Sequence, residues 1–435
     1  MRKHFVCAFG AITVTSFLSV QSVYAANDIF DGLDHWRGSR TASPGDTGTS
    51  SSVGLPSILT WSIVPDGTAT DIDDTIPPFE SSLIAELDGK FGSGPGGGDL
   101  TLRPWFGLFE IAYGRWGDLS GLTFHYESED DGTKHGQFSL DGALGVRGDM
   151  RIAGMNIDGN SGSNTLAYNY FPDNGDMLID VANSSSWGLY DPVTDSGSKF
   201  LINILTHEIG HGLGLPHLES DDTRQLMEPF INTSFYGPQL EDILMVQRLY
   251  GDFYESGMGN NDIANAQAIG TLTSGAVWSI GGDADLATGG EIFGTDVDFV
   301  TIDDETDVDV YSFSLDIESD LLVLLSPEGY EYDWSEELDG GSTDTTDMRE
   351  LSDLVLELLD NSGSVITAID DAAVGAGEEL LTTLAAGDYF LRVSGLDDNA
   401  QFYQLGVLSE AIPEPATLGL MMLSALGMMS RRRRA

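Results

Sequence analysis

The chain has 435 residues, room for two or three globular domains. Its 70 acidic residues face 19 basic ones, a formal charge of −51. That balance excludes a nucleic-acid partner, which needs a basic footprint to displace counterions. With 41% hydrophobic residues the chain is not a disordered polymer, and its one cysteine, Cys7, excludes an intramolecular disulfide.

Residues 1–25 read as a secretory signal peptide. Arg2 and Lys3 form the positive start, Phe5 to Val20 the apolar stretch, and Val23-Tyr24-Ala25 a small-residue cleavage site. Cys7 lies inside it, so the mature chain would hold no thiol. Residues 26–54 are rich in Gly, Ser, Thr and Asp without apolar periodicity, and read as a loose segment. Order is expected from residue 55. Leu59 to Val64 reads as a strand, Trp105 to Trp116 as a helix with an aromatic side, and Leu122 to Phe124, Met150 to Ala153, Leu166 to Phe171 and Met177 to Val181 as short strands. Lys199 to Gly212 has helical apolar spacing at Phe200, Leu201, Ile204, Leu205 and Ile209. Gln239 to Tyr250 is a second such helix, stopped by Gly251.

The chemistry lies in His207-Glu208-Ile209-Gly210-His211-Gly212-Leu213-Gly214-Leu215-Pro216-His217. Four residues apart on a helix, His207 and His211 share a face and can bind one metal. Glu208 stands beside them, placed to take a proton from water. Gly214 lets the chain turn sharply and return His217 as a third ligand. Three nitrogens suit zinc and leave its fourth position to water, the arrangement of a catalytic site. A structural metal site is the alternative, against which Glu208 and the open position weigh. His35, His125 and His135 stand in loop-like sequence and read as surface residues.

Beyond Gly251 the character changes. Residues 252–261 read as a Gly/Asn linker. Residues 262–410 hold short alternating strands, among them Asp309 to Phe313, Leu354 to Leu359, Tyr389 to Val393 and Tyr403 to Val407, separated by Asp/Gly turns. This predicts an all-β sandwich. Residues 412–435 end the chain with Pro413-Glu414-Pro415, an apolar stretch and Arg431 to Arg434. That stretch is short for a membrane anchor, and its arginines would stay cytoplasmic.

Three resemblances sharpen this reading. The histidine motif is similar to the metzincin signature, and Leu226-Met227-Glu228-Pro229 resembles the Met-turn of the matrixins, with Gln247-Arg248-Leu249-Tyr250-Gly251 like the end of their final helix. The resemblance covers residues 55–251. It implies an α+β catalytic domain with a twisted, mostly parallel sheet and a zinc-binding helix. It also implies zinc on His207, His211 and His217, Glu208 as general base, and Met227 as a packing residue beneath the metal. The family's second, structural zinc is not expected, because the matching positions hold Asn156, Asp158, Tyr168 and Leu178. Calcium is a candidate at Asp158, Asn160 and Asp180, since hard oxygen ligands suit that ion. No thiol latency switch can operate.

The β region resembles the secreted-peptidase C-terminal domain, through Asp307 to Tyr311, Leu354 to Leu358 and Ala386 to Val393. The chain end resembles the PEP-CTERM sorting signal of Gram-negative bacteria. That implies recognition by a sorting machinery, transient membrane contact through the tail alone, and a body outside the cytoplasm. The function implied is a secreted zinc endopeptidase acting on protein or peptide substrates. An envelope-attached adhesive protein working through its β domain is the alternative.

Overall fold

The computed structural model describes residues 4–8, 30, 33–36, 53–70, 79–95, 97–137, 142–157, 165–189, 198–218, 224–285, 290–334 and 344–412. The sorting tail beyond 412, and all of the leader except 4–8, lie outside the described residues.

The N-terminal half is built on a six-stranded sheet. In chain order its elements are β1 (His4–Ala8), β2 (Ser57–Ile63), α1 (Leu83–Phe91), α2 (Phe106–Asp118), β3 (Leu122–Tyr126), β4 (Met150–Met155), β5 (Thr165–Tyr170), β6 (Met177–Asp180), α3 (Ser198–Leu213) and α4 (Leu240–Tyr250). The strand order is β1-β5-β6-β4-β2-β3. The pairs β2–β3, β2–β4 and β4–β6 are parallel, whereas β5 runs antiparallel to β6 and β1 antiparallel to β5. Parallel strands need covering on their faces, and here α2 and α3 pack together over the sheet. Trp61 of β2 stacks on Phe106 and Tyr113 of α2, with ring centroids 5.5 and 4.8 Å away. Trp116 of α2 donates its indole N–H to the Thr206 carbonyl of α3 at 2.9 Å. Burial of these large rings, each making many dispersion contacts, holds α3 against the sheet.

The C-terminal half consists of β7 (Gln267–Leu272), β8 (Ala276–Ile280), β9 (Val308–Leu315), β10 (Ser319–Pro327), β11 (Leu354–Asp360), β12 (Val365–Ile369), β13 (Glu378–Leu384), β14 (Gly387–Gly395) and β15 (Gln401–Ala411). One sheet runs β8-β15-β10-β13, with Thr301–Ile302 also paired to β15, and the other runs β12-β11-β14-β9-β7. Along β10 the alternation of buried Leu321, Val323 and Leu325 with more exposed neighbours is the pattern of a strand with one face on a core. Those residues join Leu356, Leu358, Leu391 and Val393 of the facing sheet in one apolar cluster.

The two halves are not beads on a string. The core around α3 also includes Ala284, Ile292, Phe299, Tyr332, Met348, Ala400 and Phe402 from the C-terminal half. Three expectations change accordingly. Within residues 26–54, read as loose, Trp36 is buried. Its backbone N–H donates to the Tyr250 hydroxyl at 3.1 Å and its indole to the Gly212 carbonyl at 2.8 Å. Within residues 252–261, read as a linker, Asp252, Glu255 and Asn260 are all buried. His135, read as a surface residue, has no exposed surface and places Nε2 3.1 Å from the Arg151 carbonyl. Each is a long-range contact that local composition cannot signal. The leader was expected to carry only an address, yet β1 pairs with β5, His4 opposite Tyr170.

Candidate metal centre

Helix α3 buries Leu201, Ile202, Ile204, Leu205, Ile209 and Leu213 against the core. That stripe sets its rotation and so the direction in which its polar residues point. His207 and His211, one turn apart, bring their Nε2 atoms to 3.1 Å. The helix ends at Gly214, with φ +110°. A Cβ there would lie 1.7 Å from the Asp34 carbonyl oxygen, so both the backbone angle and the close approach require glycine. The turn returns His217, whose ring centroid lies 5.3 Å from His207 and 4.8 Å from His211. Ligand atoms of the three histidines lie within 4.8 Å of one another, and they are the one such group of three or more His, Cys, Asp or Glu among the described residues.

Their proton positions follow from the partners. His207 Nδ1 sits 2.6 Å from the Leu226 carbonyl and His211 Nδ1 2.7 Å from the Leu215 carbonyl. A carbonyl only accepts, so each Nδ1 carries the hydrogen and each Nε2 keeps its lone pair for the centre of the triad. Burial pushes the His207 pKa down to about 4. Burial and then the neighbouring histidines push His211 and His217 well below the usual range, so all three imidazoles are neutral. Glu208 is fully buried, and among the described residues neither carboxylate oxygen has a hydrogen-bond partner. Burial raises its pKa well above the ordinary carboxylate value. A buried carboxyl group without a partner among the described residues, next in sequence to a triad of neutral imidazoles, is costly to hold. A divalent metal with a water in its open position fits that donor set and would satisfy it.

The surroundings hold this arrangement. Met227 is fully buried beneath α3, and a Cβ on Gly210 would fall 2.5 Å from its sulfur, so the turn and the helix pack in direct contact. Asn169 of β5 donates its side-chain N–H to the Glu208 carbonyl at 2.5 Å, fixing the helix to the sheet. Asp242 of α4 accepts from the backbone N–H of Leu226 (2.7 Å) and Met227 (3.0 Å). It thereby clamps the turn whose carbonyl orients His207. Asn169 and Asp242 were not singled out in the sequence. The one local signal is the capping box at the start of α4, in which Gln239 and Asp242 exchange hydrogen bonds.

The other candidates are placed differently. Of the three calcium candidates, Asp158 and Asn160 lie outside the described residues. The Asp180 carboxylate is buried and accepts from the Ile157 and Ala182 N–H groups, both at 3.1 Å, and from the Asn183 amide at 2.8 Å, capping the turn after β6. Tyr168 and Leu178 pack with Val64, Ala153, Met155 and Tyr170 in a small apolar cluster of their own.

Fold and donor set together define a metallopeptidase-like centre, a helix-borne histidine triad over a parallel-rich sheet. Residues 106–251 match the matrixin family model, and residues 411–434 match the PEP-CTERM protein-sorting motif. The chain is 31% identical to human matrix metalloproteinase-16 over 149 residues, 32% of this chain and 23% of that protein. It is 30% identical to metalloendoproteinase 4-MMP of Arabidopsis thaliana over 151 residues, 33% of this chain and 39% of the relative. The chain thus spans well under half the length of these relatives. A solved pre-peptidase C-terminal domain of collagenase from Bacillus anthracis covers 33% of this chain and 93% of its own, at 17% identity and a TM-score of 0.18, too low to argue from. No described helix is long and apolar enough to cross a membrane.

Proposed function

We propose that this protein is an exported zinc-dependent endopeptidase. Residues 55–251 are its catalytic unit, residues 262–410 an accompanying β-sandwich, and the sorting motif directs it to the envelope or exterior of a Gram-negative bacterium. The observation that carries the reading is the neutral histidine triad with Glu208, next to His207 in sequence, whose carboxyl has no partner among the described residues. His207, His211 and His217 would hold zinc, which when bound activates water and polarises a carbonyl. Glu208 takes the proton that the attacking water gives up, and later delivers it to the leaving amine. Its burial excludes bulk water that would otherwise compete for that proton. Beside His207, Ile204, Leu226, Ile231 and Phe235, with Asn203 and Asn232, line a narrow cavity with room for about one water molecule.

The test is casein cleavage by the purified mature protein. Activity should vanish with a zinc chelator and return with added zinc. Glu208→Gln should lose on the order of 10²- to 10⁴-fold in kcat, the usual share of a general base. Chelator-resistant cleavage, or full activity in Glu208→Gln, rules the mechanism out.

A further inference from the structure

The turn that orients His207 is held by more than the catalytic half. Its carbonyl partner, Leu226, follows Gln225, whose side chain is buried and donates to the Tyr330 hydroxyl of the β half at 3.3 Å. The same hydroxyl donates to Glu241 Oε1 at 2.5 Å, in the first turn of α4 and one residue before the Asp242 clamp. Beside it, Gln239, the residue capping α4, accepts from the Ile292 N–H of the β half at 3.0 Å. Glu241, Asp242 and Ile292 are all buried. Tyr330 is itself fixed, its carbonyl accepting from the Met348 N–H at 3.1 Å and its ring lying edge-on to buried Tyr332. One phenol therefore joins both sides of the clamp, the turn before Leu226 and the helix bearing Asp242. It lies 105 residues beyond Gln225 and 89 beyond Glu241 in the chain.

We propose that Tyr330 is a positioning residue for the metal centre, acting through Gln225 and Glu241 on the Leu226 carbonyl that orients His207. The β half is then part of the catalytic unit rather than an appended module. The inference rests on the zinc-peptidase reading of the triad. Groups that orient a ligating histidine affect metal affinity or activity by about 10- to 100-fold when removed.

The experiment compares the full mature protein with Tyr330→Phe, which keeps the ring and removes the hydroxyl. Zinc retention is titrated against a chelator, and kcat and KM are measured on one peptide. Tyr330→Phe should release zinc at roughly 10-fold lower chelator, with kcat falling and KM unchanged. Glu241→Ala should fall with it, and Glu241→Gln, which keeps an acceptor, should recover most of the loss. Tyr389→Phe, whose hydroxyl bonds only the Ala385 carbonyl at the far side of the sandwich, is the control. Wild-type zinc retention and kcat in Tyr330→Phe overturn the inference, and so does an equal loss in Tyr389→Phe. A wild-type protein that holds no zinc removes the peptidase reading as well, so the two failures are distinguishable.

Discussion

Two clusters of buried titratable groups contrast within this molecule. At β4 of the N-terminal sheet, Arg151 and Asp130 are each 1% exposed at the side chain and meet in a two-point ion pair, Nε to Oδ2 at 2.9 Å and Nη2 to Oδ1 at 2.7 Å. At the junction of the two halves, Asp252, Glu255, Asp303, Asp307 and Asp309 are all buried, and the one cation described among them is Arg248. There the carboxyls rely on neutral donors. Asp252 accepts from the Tyr254 and Thr301 N–H groups, Asp307 from the Asp303 N–H, and Asp309 from the Tyr403 hydroxyl. The first cluster holds its charge by pairing it. The second avoids charge by keeping protons: burial first, and neighbouring carboxylates second, raise Glu255 to about 8 and Asp303 to about 9. Asp252 rises to about 7, where burial outweighs its backbone donors. Buried charge is tolerated where a partner is built for it. Elsewhere the carboxyls take up protons, and stability becomes a function of pH.

The contrast can be broken at its strongest point. Asp130→Ala leaves the Arg151 guanidinium buried and unpaired, and should cost about 3–5 kcal/mol in urea unfolding. A loss below about 1 kcal/mol would mean that the pair is no more than a surface ion pair in effect. The junction should respond to pH instead. Its carboxyls hold protons in the folded state at pH values where an unfolded carboxyl, near 4, has already lost them. The stability this confers is fully present below about pH 4 and is lost as pH rises through 6 to 9, the range of the raised values of Asp307, Asp252, Glu255 and Asp303. Tyr311 and Tyr403, which burial raises well above the ordinary phenol range, keep their protons across that range. The melting temperature should therefore fall between pH 5 and pH 8 at constant ionic strength, and a flat or rising profile contradicts the assignment. The mildest test is Asp309→Asn. An amide oxygen can still accept from Tyr403, so the change should be nearly neutral at pH 5 and mildly stabilising at pH 8, flattening the profile. A large loss at pH 5 would show that the carboxylate is charged there.

Much of the site was legible locally. The spacing of His207, His211 and His217, with Glu208 between the first two, needs only a helix and a glycine turn to converge, and α3 and Gly214 supply both. The strands around Leu59, Met150, Leu166 and Met177 and the sandwich strands from Asp309 onward also stood out, because alternating apolar residues and Asp/Gly turns are local signals. What escaped was every polar contact made across the fold. Trp36 is bonded to a hydroxyl 214 residues away, Asn169 holds the Glu208 carbonyl from a neighbouring strand, and Tyr330 reaches Gln225 from the other half. The acidic run after Gly251 reads in isolation as solvated linker, since Asp, Glu and Gly are what linkers contain.

By itself the sequence determined which groups can carry the chemistry, because metal ligation and general-base catalysis depend on residue types at helical spacing. It also marked a change from mixed helix and strand signals to strand signals alone after Gly251. Tertiary structure alone decided which nitrogen of His207 and His211 faces the centre. It also decided that the Glu208 carboxyl has no partner among the described residues, and that the β half packs into the core around α3. Those outcomes depend on burial and on backbone groups brought together from distant segments, and neither is written in any local stretch of residues.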